Sequence, residues 1–377
     1  MRLCLWHKIE INFYFTYMNI LKERLRGLNL GGWFSQVDCI EEKDPQGFPG
    51  FYKHAEIFIT ELDLQRIKNW NFNHVRLPVD YFNFFKGKNL EEDKIAFELL
   101  DKAVEKILNA GLALIIDLHK CPGHDFHQGT LGSAQPFFTD PKYRNDAKKV
   151  WSVLAERYGC KPNVLLEILN EPVAPNAEVW NSVKDEFFWH IRKAAPKAPI
   201  VVGSNLWNNP AQFKDLTPLE DDNVLYSFHS YQPVIFTHQN AAWIPEPYFH
   251  QDRSWPGMYA PPQNEGDIVI TLPIEDGRWN KTRLRQTMEN ALEFRAKYNV
   301  PVACNEFGVY VQVERQSQLN WLRDFTSLLR EADVGFSYWN YKNLDFGIIS
   351  IGESLHQNLP QYNNADRIDG ELVGMLL

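Results

Sequence analysis

Residues 165–172 read LLEILNEP, and residues 302–309 read VACNEFGV. In both stretches a run of apolar residues ends in an Asn-Glu pair, which places Glu171 and Glu306 where a strand should stop. Strands that are buried on both faces read as continuous apolar runs and not as an alternation of apolar and polar residues. The two stretches therefore predict interior strands of a parallel sheet, each with a carboxylate at its carboxyl end.

Further apolar runs extend this pattern along the chain, and amphipathic segments separate most of them. The predicted strands are 25–30, 74–79, 112–118, 164–169, 200–204, 224–229, 301–306 and 335–341. Apolar residues at three-to-four spacing predict helices over 56–69, 91–111, 141–158, 178–194, 281–298 and 315–331. The exception is the connection 205–223, which leaves room for only a short helix. Eight buried strands that alternate with helices indicate an α/β fold, a (β/α)8 TIM barrel in a single domain.

The composition is that of a globular protein with an unusual share of aromatic residues. The chain has 377 residues, a normal length for one barrel of this kind. Hydrophobic residues make up 44% and charged residues 23%, whereas aromatic residues reach 14% with 12 Trp. Aromatic rings fill large cores, and they also stack on ligands with flat apolar faces such as sugar rings. Composition leaves both uses open.

Charge and cysteine content exclude several classes of partner. The net charge of −9 argues against nucleic acid or an anionic membrane as the main partner, because binding there needs clustered Lys and Arg. Five Cys at irregular spacing suggest reduced thiols and not a disulfide framework. No stretch approaches about 18 uninterrupted apolar residues, so no membrane span is predicted. We expect a monomer with an uncharged substrate.

The first residues of the chain do not read as an export signal. Lys8 and Glu10 interrupt the segment where the apolar core of a signal peptide would lie, and no small-residue cleavage site follows. This pattern indicates a cytoplasmic location by default, with secretion as the alternative if the true start lies elsewhere. Met18 precedes the part that reads as a domain. We predict an N-terminal extension over residues 1–17 and a catalytic barrel over 18–377.

Polar residues follow several predicted strands at the point where each strand ends. They are Arg76, His119, Asn170, Glu171, His229, Tyr231, Glu306 and Trp339. The carboxyl ends of all barrel strands meet at one rim, and active sites of TIM barrels lie at that rim. Each residue alone has an ordinary structural interpretation. Two carboxylates together with Arg, His and Tyr indicate a catalytic site, because buried carboxylates are costly unless they are used.

Two carboxylates across a small gap are suited to cleaving a glycosidic bond. One protonates the leaving oxygen, and the other attacks the sugar or activates water. The acid needs a raised pKa, whereas the nucleophile needs cationic or hydrogen-bonding neighbours that keep it ionised. Arg76 and Tyr231 are candidates to keep Glu306 ionised, which leaves Glu171 as the acid and later the base. The sequence alone leaves that order open.

Seven motifs in chain order carry a resemblance to a known family. RGLNLGGW, HVRLPVDY, DLH, LNEP, FHSYQP, NEFGV and YWNYKN, each at a predicted strand end, resemble glycoside hydrolase family 5 of the cellulase-type barrel clan. The resemblance runs from about Leu25 to Asn343. It implies a retaining β-glycosidase without a cofactor, in which Glu171 matches the acid/base and Glu306 matches the nucleophile.

The resemblance also implies supporting roles for the other rim residues. Asn170 would bond the sugar 2-hydroxyl, and Arg76 would orient the nucleophile and stabilise its charge. His119 and His229 match the pair of histidines that position the sugar and the acid/base, Tyr231 matches the residue bonded to the nucleophile, and Trp339 matches the platform under the sugar. The resemblance to a family of β-glycosidases also implies the substrate class, so the expected partner is a β-linked oligosaccharide or polysaccharide.

Two aromatic-rich loops are predicted to border the substrate. The first, residues 31–55, contains Trp33, which we count as a substrate contact, and also Phe34, Phe48, Phe51 and Tyr52. The second, residues 230–280, contains Trp243, Tyr248, Phe249, Trp255 and Tyr259. Loops of this length are usually functional or disordered. We predict that the second loop is a wall of the substrate cleft, with a cover over the side of the barrel as the alternative.

The motifs favour a β-glucan as the substrate but conflict on its linkage. RGLNLGGW and DLHKCPG resemble the β-1,3-glucanase branch of the family, whereas HSYQPVIFTHQ resembles bacterial members described as cellulases. We predict an endo-β-1,4-glucanase, with β-1,3-glucan or mannan as alternatives. Exo action and transglycosylation stay open. A catalytically silent carbohydrate-binding barrel is the alternative of another class, and such a protein could lose either Glu.

The stretch CPGHDFH raises a zinc site as a competing interpretation. It places Cys121, His124 and His127 at three-residue spacing, close to His119. Structural zinc takes four ligands, and catalytic zinc usually takes three. Pro122 and Gly123 interrupt the set and make the ligand geometry unfavourable, so substrate contacts or surface histidines explain these residues better than a metal does. We therefore predict no metal.

Overall fold

The structure is a computed structural model that describes residues 21, 23–43, 45, 47–128, 135–244, 247–260, 276–350 and 358–377. The extension predicted over residues 1–17 lies outside the described residues. Part of the second aromatic loop, residues 245–246 and 261–275, also lies outside them. No helix within the described ranges has the length and apolarity that crossing a membrane requires.

Eight parallel strands form a closed barrel, which confirms the predicted fold. They are β1 (Arg26–Asn29), β2 (His74–Asp80), β3 (Ala113–Lys120), β4 (Val164–Glu167), β5 (Ile200–Gly203), β6 (Val224–Ser230), β7 (Val302–Phe307) and β8 (Gly335–Tyr338). Each strand pairs with its neighbour in chain order, and β8 pairs with β1 to close the ring. The carboxyl ends of all eight strands therefore lie at one rim.

Helices follow the strands and cover the outside of the barrel. The longer ones are Glu61–Asn69, Lys94–Asn109, Pro141–Tyr158, Ala177–Ala194, Glu289–Tyr298 and Arg315–Glu331. Shorter ones are Val37–Lys43, Phe51–Ile57, Pro136–Thr139, Asn205–Asn208, Val234–Thr237, Lys281–Thr287 and Gly370–Leu376, with 3-10 turns at Tyr81–Asn83, Phe126–Gln128, Pro210–Asp215, Pro247–Phe249 and Pro360–Tyr362. The connection after β5 contains the four-residue helix Asn205–Asn208 and the 3-10 turn Pro210–Asp215, which confirms that it has room for only a short helix.

Two predicted helices have different bounds in the structure. The helix predicted over 281–298 is two helices that meet at Met288, where the backbone departs from helical geometry. The helix predicted from residue 56 begins at Glu61, because Thr60 caps it. The Thr60 hydroxyl accepts the Asp63 backbone N–H while the Asp63 carboxylate accepts the Thr60 backbone N–H, a capping box that fixes the start.

The interior of the barrel changes from apolar to charged along the strands. Its floor is a small cluster that contains Leu25, Ala113, Ile115, Leu165, Val201, Leu225 and Ala303. Successive inward residues of a strand are two apart, so Asp117 lies above Ile115 and Glu167 lies above Leu165. A separate, much larger apolar core fills the space between strands and helices. The floor thus supports a charged layer just below the rim.

The side chain of Asn29 ties the first strand to the last two. Its Nδ2 donates to the backbone carbonyl of Asn305 on β7 at 2.9 Å and to those of Ser337 and Tyr338 on β8 at 3.3 Å. These bonds cross the seam where β8 meets β1. The seam is therefore held by side-chain hydrogen bonds in addition to the strand pairing.

Candidate active site

Arg76 is the centre of the charged layer. The residue is fully buried on β2. Its Nε and Nη2 donate to the two oxygens of Glu167 at 2.7 and 3.1 Å, and its Nη1 donates to Glu306 Oε1 at 2.5 Å and to Asn29 Oδ1 at 3.0 Å. The second Nη2 proton goes to Asn170 Oδ1 at 2.8 Å. All five guanidinium N–H groups are thus used, which fixes the side chain in one position.

Asp117 adds a further carboxylate to the same cation. Its Oδ2 lies 3.0 Å from Arg76 Nη2 and also accepts a hydrogen bond from His119 Nδ1 at 2.7 Å. Burial raises the pKa of Asp117 to about 7, although the charge of Arg76 opposes this shift. Burial also lowers the pKa of His119 well below its usual range. His119 is therefore neutral, and a proton on Nδ1, where the ring faces Asp117 Oδ2, would leave a lone pair on Nε2.

Glu306 lies at the end of β7 between two donors. Arg76 binds Oε1, and the Tyr231 hydroxyl donates to Oε2 at 3.0 Å. Burial raises the pKa of Glu306 to about 7, whereas the charge of Arg76 and the Tyr231 hydrogen bond lower it. Two charge-assisted contacts favour the carboxylate form of this residue at neutral pH.

Glu171 has a different environment. It follows β4, and its Oε1 lies 2.9 Å from His229 Nδ1. Burial and the nearby charge of Glu306 raise the pKa of Glu171 well above its usual range. Its backbone has a φ of 45°, a left-handed conformation that non-glycine residues seldom adopt outside functional sites. Glu171 therefore holds its proton more strongly than Glu306 does, which is the difference that an acid and a nucleophile need.

The two carboxylates are close together. One oxygen of Glu171, one oxygen of Glu306 and a ring nitrogen of His229 all lie within 4.8 Å of one another. Retaining glycosidases hold their carboxyl groups about 5 to 5.5 Å apart, whereas inverting enzymes leave roughly 6.5 to 9.5 Å for a water molecule. The short separation fits direct attack on the sugar by one carboxylate.

Trp339 and Asn170 complete the rim around the carboxylates. The indole of Trp339 stacks on the His119 ring at 5.6 Å between centroids with planes 5° apart. The Oδ1 of Asn170 accepts a hydrogen bond from Arg76, while its buried Nδ2 has no hydrogen-bond partner among the described residues. A buried donor without a partner points to a ligand acceptor in the site.

A family model described as Cellulase (glycosyl hydrolase family 5) matches residues 39–345. The chain belongs to glycosyl hydrolase family 5. It is a glycoside hydrolase that acts on O-glycosyl bonds, and its substrate is a β-glucan. The family and the enzyme class predicted from the seven motifs are thereby confirmed.

Named relatives cover most of this family 5 chain. Endoglucanase C of Acetivibrio thermocellus is 33% identical over 334 residues, which are 85% of this chain and 92% of that protein. Cellodextrinase A of Ruminococcus flavefaciens is 32% identical over 311 residues, 81% of this chain and 82% of that protein. The structure of Thermotoga maritima Cel5A in complex with cellobiose has a TM-score of 0.70 at 20% identity and covers 95% of this chain and 98% of that one, a likeness of fold.

The rim formed by the carboxyl ends of the strands brings together eight of the nine residues predicted for the site. Hydrogen bonds link Arg76, Asn170, Glu306 and Tyr231 into one network and join Glu171 to His229. His119 reaches the network through Asp117, and Trp339 reaches it through the stack on His119. The catalytic and supporting roles of these residues remain predictions.

Trp33 is the ninth residue, and the structure places it in the core and not in this network. Its indole is buried, with Nε1 donating to the Ala55 carbonyl at 2.8 Å and the ring against Phe34 at 5.0 Å. Phe34 in turn contacts Phe51 and Phe84. The first aromatic loop therefore contributes these rings to the core, where a small-residue Gly31-Gly32 turn lets the chain fold back.

The second aromatic loop combines both predicted alternatives. Trp255 is buried and donates from Nε1 to Asp324 on the outer helix Arg315–Glu331, so this part covers the side of the barrel. Trp243 is different, because 46% of its surface is exposed. Its ring contacts Tyr310 and Phe346, and Phe346 contacts Tyr231 of the site. Among the described residues of the loop, Trp243 is thus an exposed aromatic ring that lies near the site through Phe346.

The residues considered for zinc do not gather into one cluster. His119 Nδ1 is taken by Asp117, and His127 Nδ1 lies 3.5 Å from Asp125. Among the described residues, the group with metal-ligand spacing is instead Glu171, His229 and Glu306. Two carboxylates and an imidazole could hold a divalent cation, but a cation there would occupy the groups that the reaction uses.

Sequence reasoning missed three buried polar residues of this site. Asp117 and Glu167 share Arg76 with Glu306, and Asn208 contacts His229. The first two left a signal, because each is a lone charge inside an otherwise apolar strand and such a charge needs a partner. Asn208 left no comparable signal, because it lies in the connection after β5.

Proposed function

We propose that this family 5 enzyme is a retaining endo-β-1,4-glucanase in which Glu306 is the nucleophile and Glu171 is the acid and then the base. The observation that carries the proposal is the separation of the two carboxylates, within 4.8 Å, with Arg76 bonded to Glu306. The cation stabilises negative charge on one carboxylate, while burial beside that charge keeps the other protonated.

In the first step Glu306 attacks the anomeric carbon of the sugar. The bond from that carbon to the glycosidic oxygen breaks, and Glu171 gives its proton to the departing oxygen. The product is a glycosyl ester on Glu306 and a shortened glucan with a free hydroxyl. Arg76 and Tyr231 offset the change in charge on Glu306, because both donate to its oxygens.

In the second step Glu171, now a carboxylate, takes a proton from a water molecule. The water oxygen bonds to the anomeric carbon from the face that the leaving group vacated, and Glu306 departs as a carboxylate. Two inversions restore the original β configuration. Both residues return to their starting protonation states, so the cycle needs no cofactor.

The surrounding residues present polar and aromatic groups to the sugar. The unpartnered Nδ2 of Asn170 is placed to donate to a hydroxyl beside the anomeric carbon, and the lone pair on His119 Nε2 is placed to accept from another. Trp339 offers an aromatic face to the apolar side of the ring. The names of the relatives, endoglucanase and cellodextrinase, support β-1,4-linked glucan over the alternatives.

Product analysis on a panel of polymers tests the linkage. Soluble β-1,4-glucan, mixed-linkage glucan, β-1,3-glucan and mannan are incubated with the enzyme, and fragments are separated by length. Release of fragments of several lengths from β-1,4-glucan is expected. Cleavage of β-1,3-glucan or mannan alone would overturn the β-1,4 assignment, and inactivity on all four polymers with an intact fold would point to short oligosaccharides or a glycolipid as the substrate.

Azide rescue with an activated aryl cellobioside tests the two roles separately. Glu306→Ala should lose activity by about 10²-fold or more, and azide should then give an α-glycosyl azide by occupying the space of the carboxylate. Glu171→Ala should instead give a β-glycosyl azide from the glycosyl-enzyme. Glu105→Ala, which changes an exposed carboxylate on the helix Lys94–Asn109, is the control. The opposite pairing of azide products would exchange the roles.

A further inference from the structure

A chain of side-chain contacts extends from Glu171 through His229 to Asn208. His229 Nδ1 lies 2.9 Å from Glu171 Oε1, and on the other side of the ring His229 Nε2 lies 3.2 Å from Asn208 Nδ2. All three side chains are buried. The Oδ1 of Asn208 has no hydrogen-bond partner in the described part of the chain. Asn208 is thus placed to donate a hydrogen bond from its Nδ2–H group to His229 Nε2.

The backbone holds Asn208 in this place at some cost. Leu206, Trp207 and Asn208 have φ of 52°, 59° and 52°, three consecutive residues in the left-handed region. This conformation is strained for residues other than Gly, and Asn is among the residues that tolerate it best. The Trp207 backbone N–H donates to the carbonyl of Pro172 at 3.2 Å, which ties the turn to the residue after Glu171.

Gly203 at the end of β5 makes room for the amide. A Cβ at this position would lie 2.2 Å from Asn208 Oδ1 and 2.6 Å from its Nδ2, closer than any real contact. The amide group therefore packs directly against the backbone of β5 on one face and reaches His229 with its edge. Two independent features, the left-handed turn and the missing side chain, fix the same group.

The position of the amide determines which nitrogen of His229 carries the proton. Burial and the charge of Arg76 lower the pKa of His229 well below its usual range, so the ring is neutral and has one N–H. An N–H donor opposite Nε2 requires the lone pair there, which places the proton on Nδ1. Nδ1 also faces Glu171 Oε1 at 2.9 Å and Glu306 Oε2 at 3.6 Å, two acceptors that favour a proton on it.

We propose that Asn208 is a positioning residue of the acid/base, because it holds His229 in the Nδ1–H tautomer and thereby keeps the proton of Glu171 on Oε2. With Nδ1–H donating to it, Oε1 serves as an acceptor both when Glu171 is a carboxylic acid and when it is a carboxylate. The acidic proton is left on Oε2, the oxygen available to the glycosidic oxygen. No proton has to move on His229 during the cycle.

The other tautomer would work against the reaction. A lone pair on Nδ1 would accept the Glu171 proton from Oε1, in a hydrogen bond that points away from the substrate. Leaving groups that need protonation would then depart slowly, whereas leaving groups that are already stable anions would not be affected. The inference therefore predicts a specific dependence on the leaving group. It rests on the proposed role of Glu171 as the acid.

The first test measures the tautomer directly in the wild-type enzyme. Ring ¹⁵N chemical shifts of histidine-labelled protein distinguish a protonated from an unprotonated nitrogen, and the His229→Asn variant assigns the His229 signals. A protonated Nδ1 with an unprotonated Nε2 is expected at neutral pH. The reverse pattern would refute the proposal, whatever the variants of Asn208 do.

The second test compares phenyl and 2,4-dinitrophenyl β-cellobioside as substrates of Asn208→Leu, which has a similar shape but no donor. The kcat/KM for the phenyl substrate should fall by about tenfold or more, and that for the dinitrophenyl substrate by less than about threefold, as partial loss of general-acid catalysis requires. Equal losses on both substrates would show a structural role only.

Asn205→Ala is the matched control on the same turn. Asn205 is buried, and its side chain bonds the backbone of Ala174 through Oδ1 at 2.8 Å and Nδ2 at 3.2 Å, with no role toward His229 in the proposal. It should lower the melting temperature and affect both substrates equally. Glu171→Ala separates the failure of the two proposals. If the activity loss of Glu171→Ala does not depend on the leaving group, the proposed function fails. If that loss depends on the leaving group but the loss of Asn208→Leu does not, only the inference about Asn208 fails.

Discussion

Arg76 and Glu167 form a bidentate ion pair inside the barrel, and the same guanidinium also binds Glu306. Glu167 does not take part in the proposed chemistry, yet it takes two of the five donors of the cation. A cation shared in this way neutralises Glu306 less than one that served Glu306 alone. The stability of the nucleophile as an anion therefore depends on a residue below the rim.

Glu167→Gln should shift the pH dependence of activity. Removing the negative charge leaves more of the Arg76 field for Glu306, so the pKa of Glu306 should fall from about 7. Protonated Glu306 cannot attack, and the acid limb of kcat/KM against pH should therefore move to lower pH. The profile of the free enzyme on a soluble cellobioside measures this, with Glu105→Gln as the surface control. An unmoved or raised acid limb would contradict the prediction.

The buried carboxylates should also make folding stability depend on pH. Burial raises the pKa of Asp117 and of Glu167 to about 7, above their ordinary values of 3.8 and 4.5. A carboxyl group with a raised pKa in the folded state stabilises the fold fully below its ordinary pKa and loses this stabilisation as pH rises through about 7. The melting temperature should fall between pH 5 and pH 8, and less steeply in Glu167→Gln. A melting temperature that rises over this range would argue for fully ionised carboxylates.

Tyr231→Phe should weaken the nucleophile without disturbing the fold. The change removes the hydroxyl that donates to Glu306 Oε2 at 3.0 Å. Because that hydrogen bond lowers the pKa of Glu306, its loss should move the acid limb of the pH profile to higher pH. The kcat should fall by roughly tenfold, which corresponds to the loss of about 1.5 kcal/mol for one hydrogen bond to a charged group. Unchanged activity with an unchanged acid limb would remove Tyr231 from the site.

Gly203→Ala should reproduce part of the effect of Asn208→Leu. The new Cβ would lie 2.2 Å from Asn208 Oδ1, so the amide has to move away from His229. The phenyl cellobioside should therefore be hydrolysed more slowly relative to the dinitrophenyl one. Gly374→Ala is the control, because a Cβ there meets no atom within 4 Å, and it should be neutral or stabilising by up to about 1 kcal/mol in its helix. Equal behaviour of both variants would mean that Asn208 tolerates displacement.

Trp243→Ala should weaken binding of long substrates. The exposed ring borders the site through Phe346 and Tyr231, and aromatic contacts contribute about 0.5 to 1.5 kcal/mol. KM for cellohexaose should rise by about two- to tenfold, while that for an aryl cellobioside changes less. Trp189→Ala changes a tryptophan that is 53% exposed on the outer helix Ala177–Ala194 and serves as the control. Matching KM values for the two variants would exclude Trp243 from the cleft.

The sequence predicted the barrel because interior strands carry an unbroken apolar signal. Arg76, Glu171 and Glu306 were predicted for the same reason, since a strand end is a definite place on a known rim. The charged layer beneath was missed, because Asp117 and Glu167 lie inside strands that were read only for their apolar residues. The position of the Asn208 side chain depends on a left-handed turn and on the absence of a side chain at Gly203, and hydrophobic periodicity predicts neither feature.

The aromatic loops show a further limit of sequence patterns. In the sequence, Trp33 and Trp255 indicate a substrate contact as strongly as Trp243 does, yet the first two are buried and the third is exposed. A large aromatic side chain serves a core or a ligand equally well, and its place follows from the path of the loop. That path is fixed by tertiary contacts such as the bond from Trp255 to Asp324.

The hydrogen bonds from Asn29 to β7 and β8 have a consequence for synthesis on the ribosome. The first strand emerges about 300 residues before the carbonyl groups that its side chain binds, so the ring cannot close until β8 has been synthesised. Until then Arg76 lacks Glu306, and the edge of β1 is open to the wrong partner. One edge of β1 in a nascent chain of this protein therefore stays without its native partner until β8 has been made.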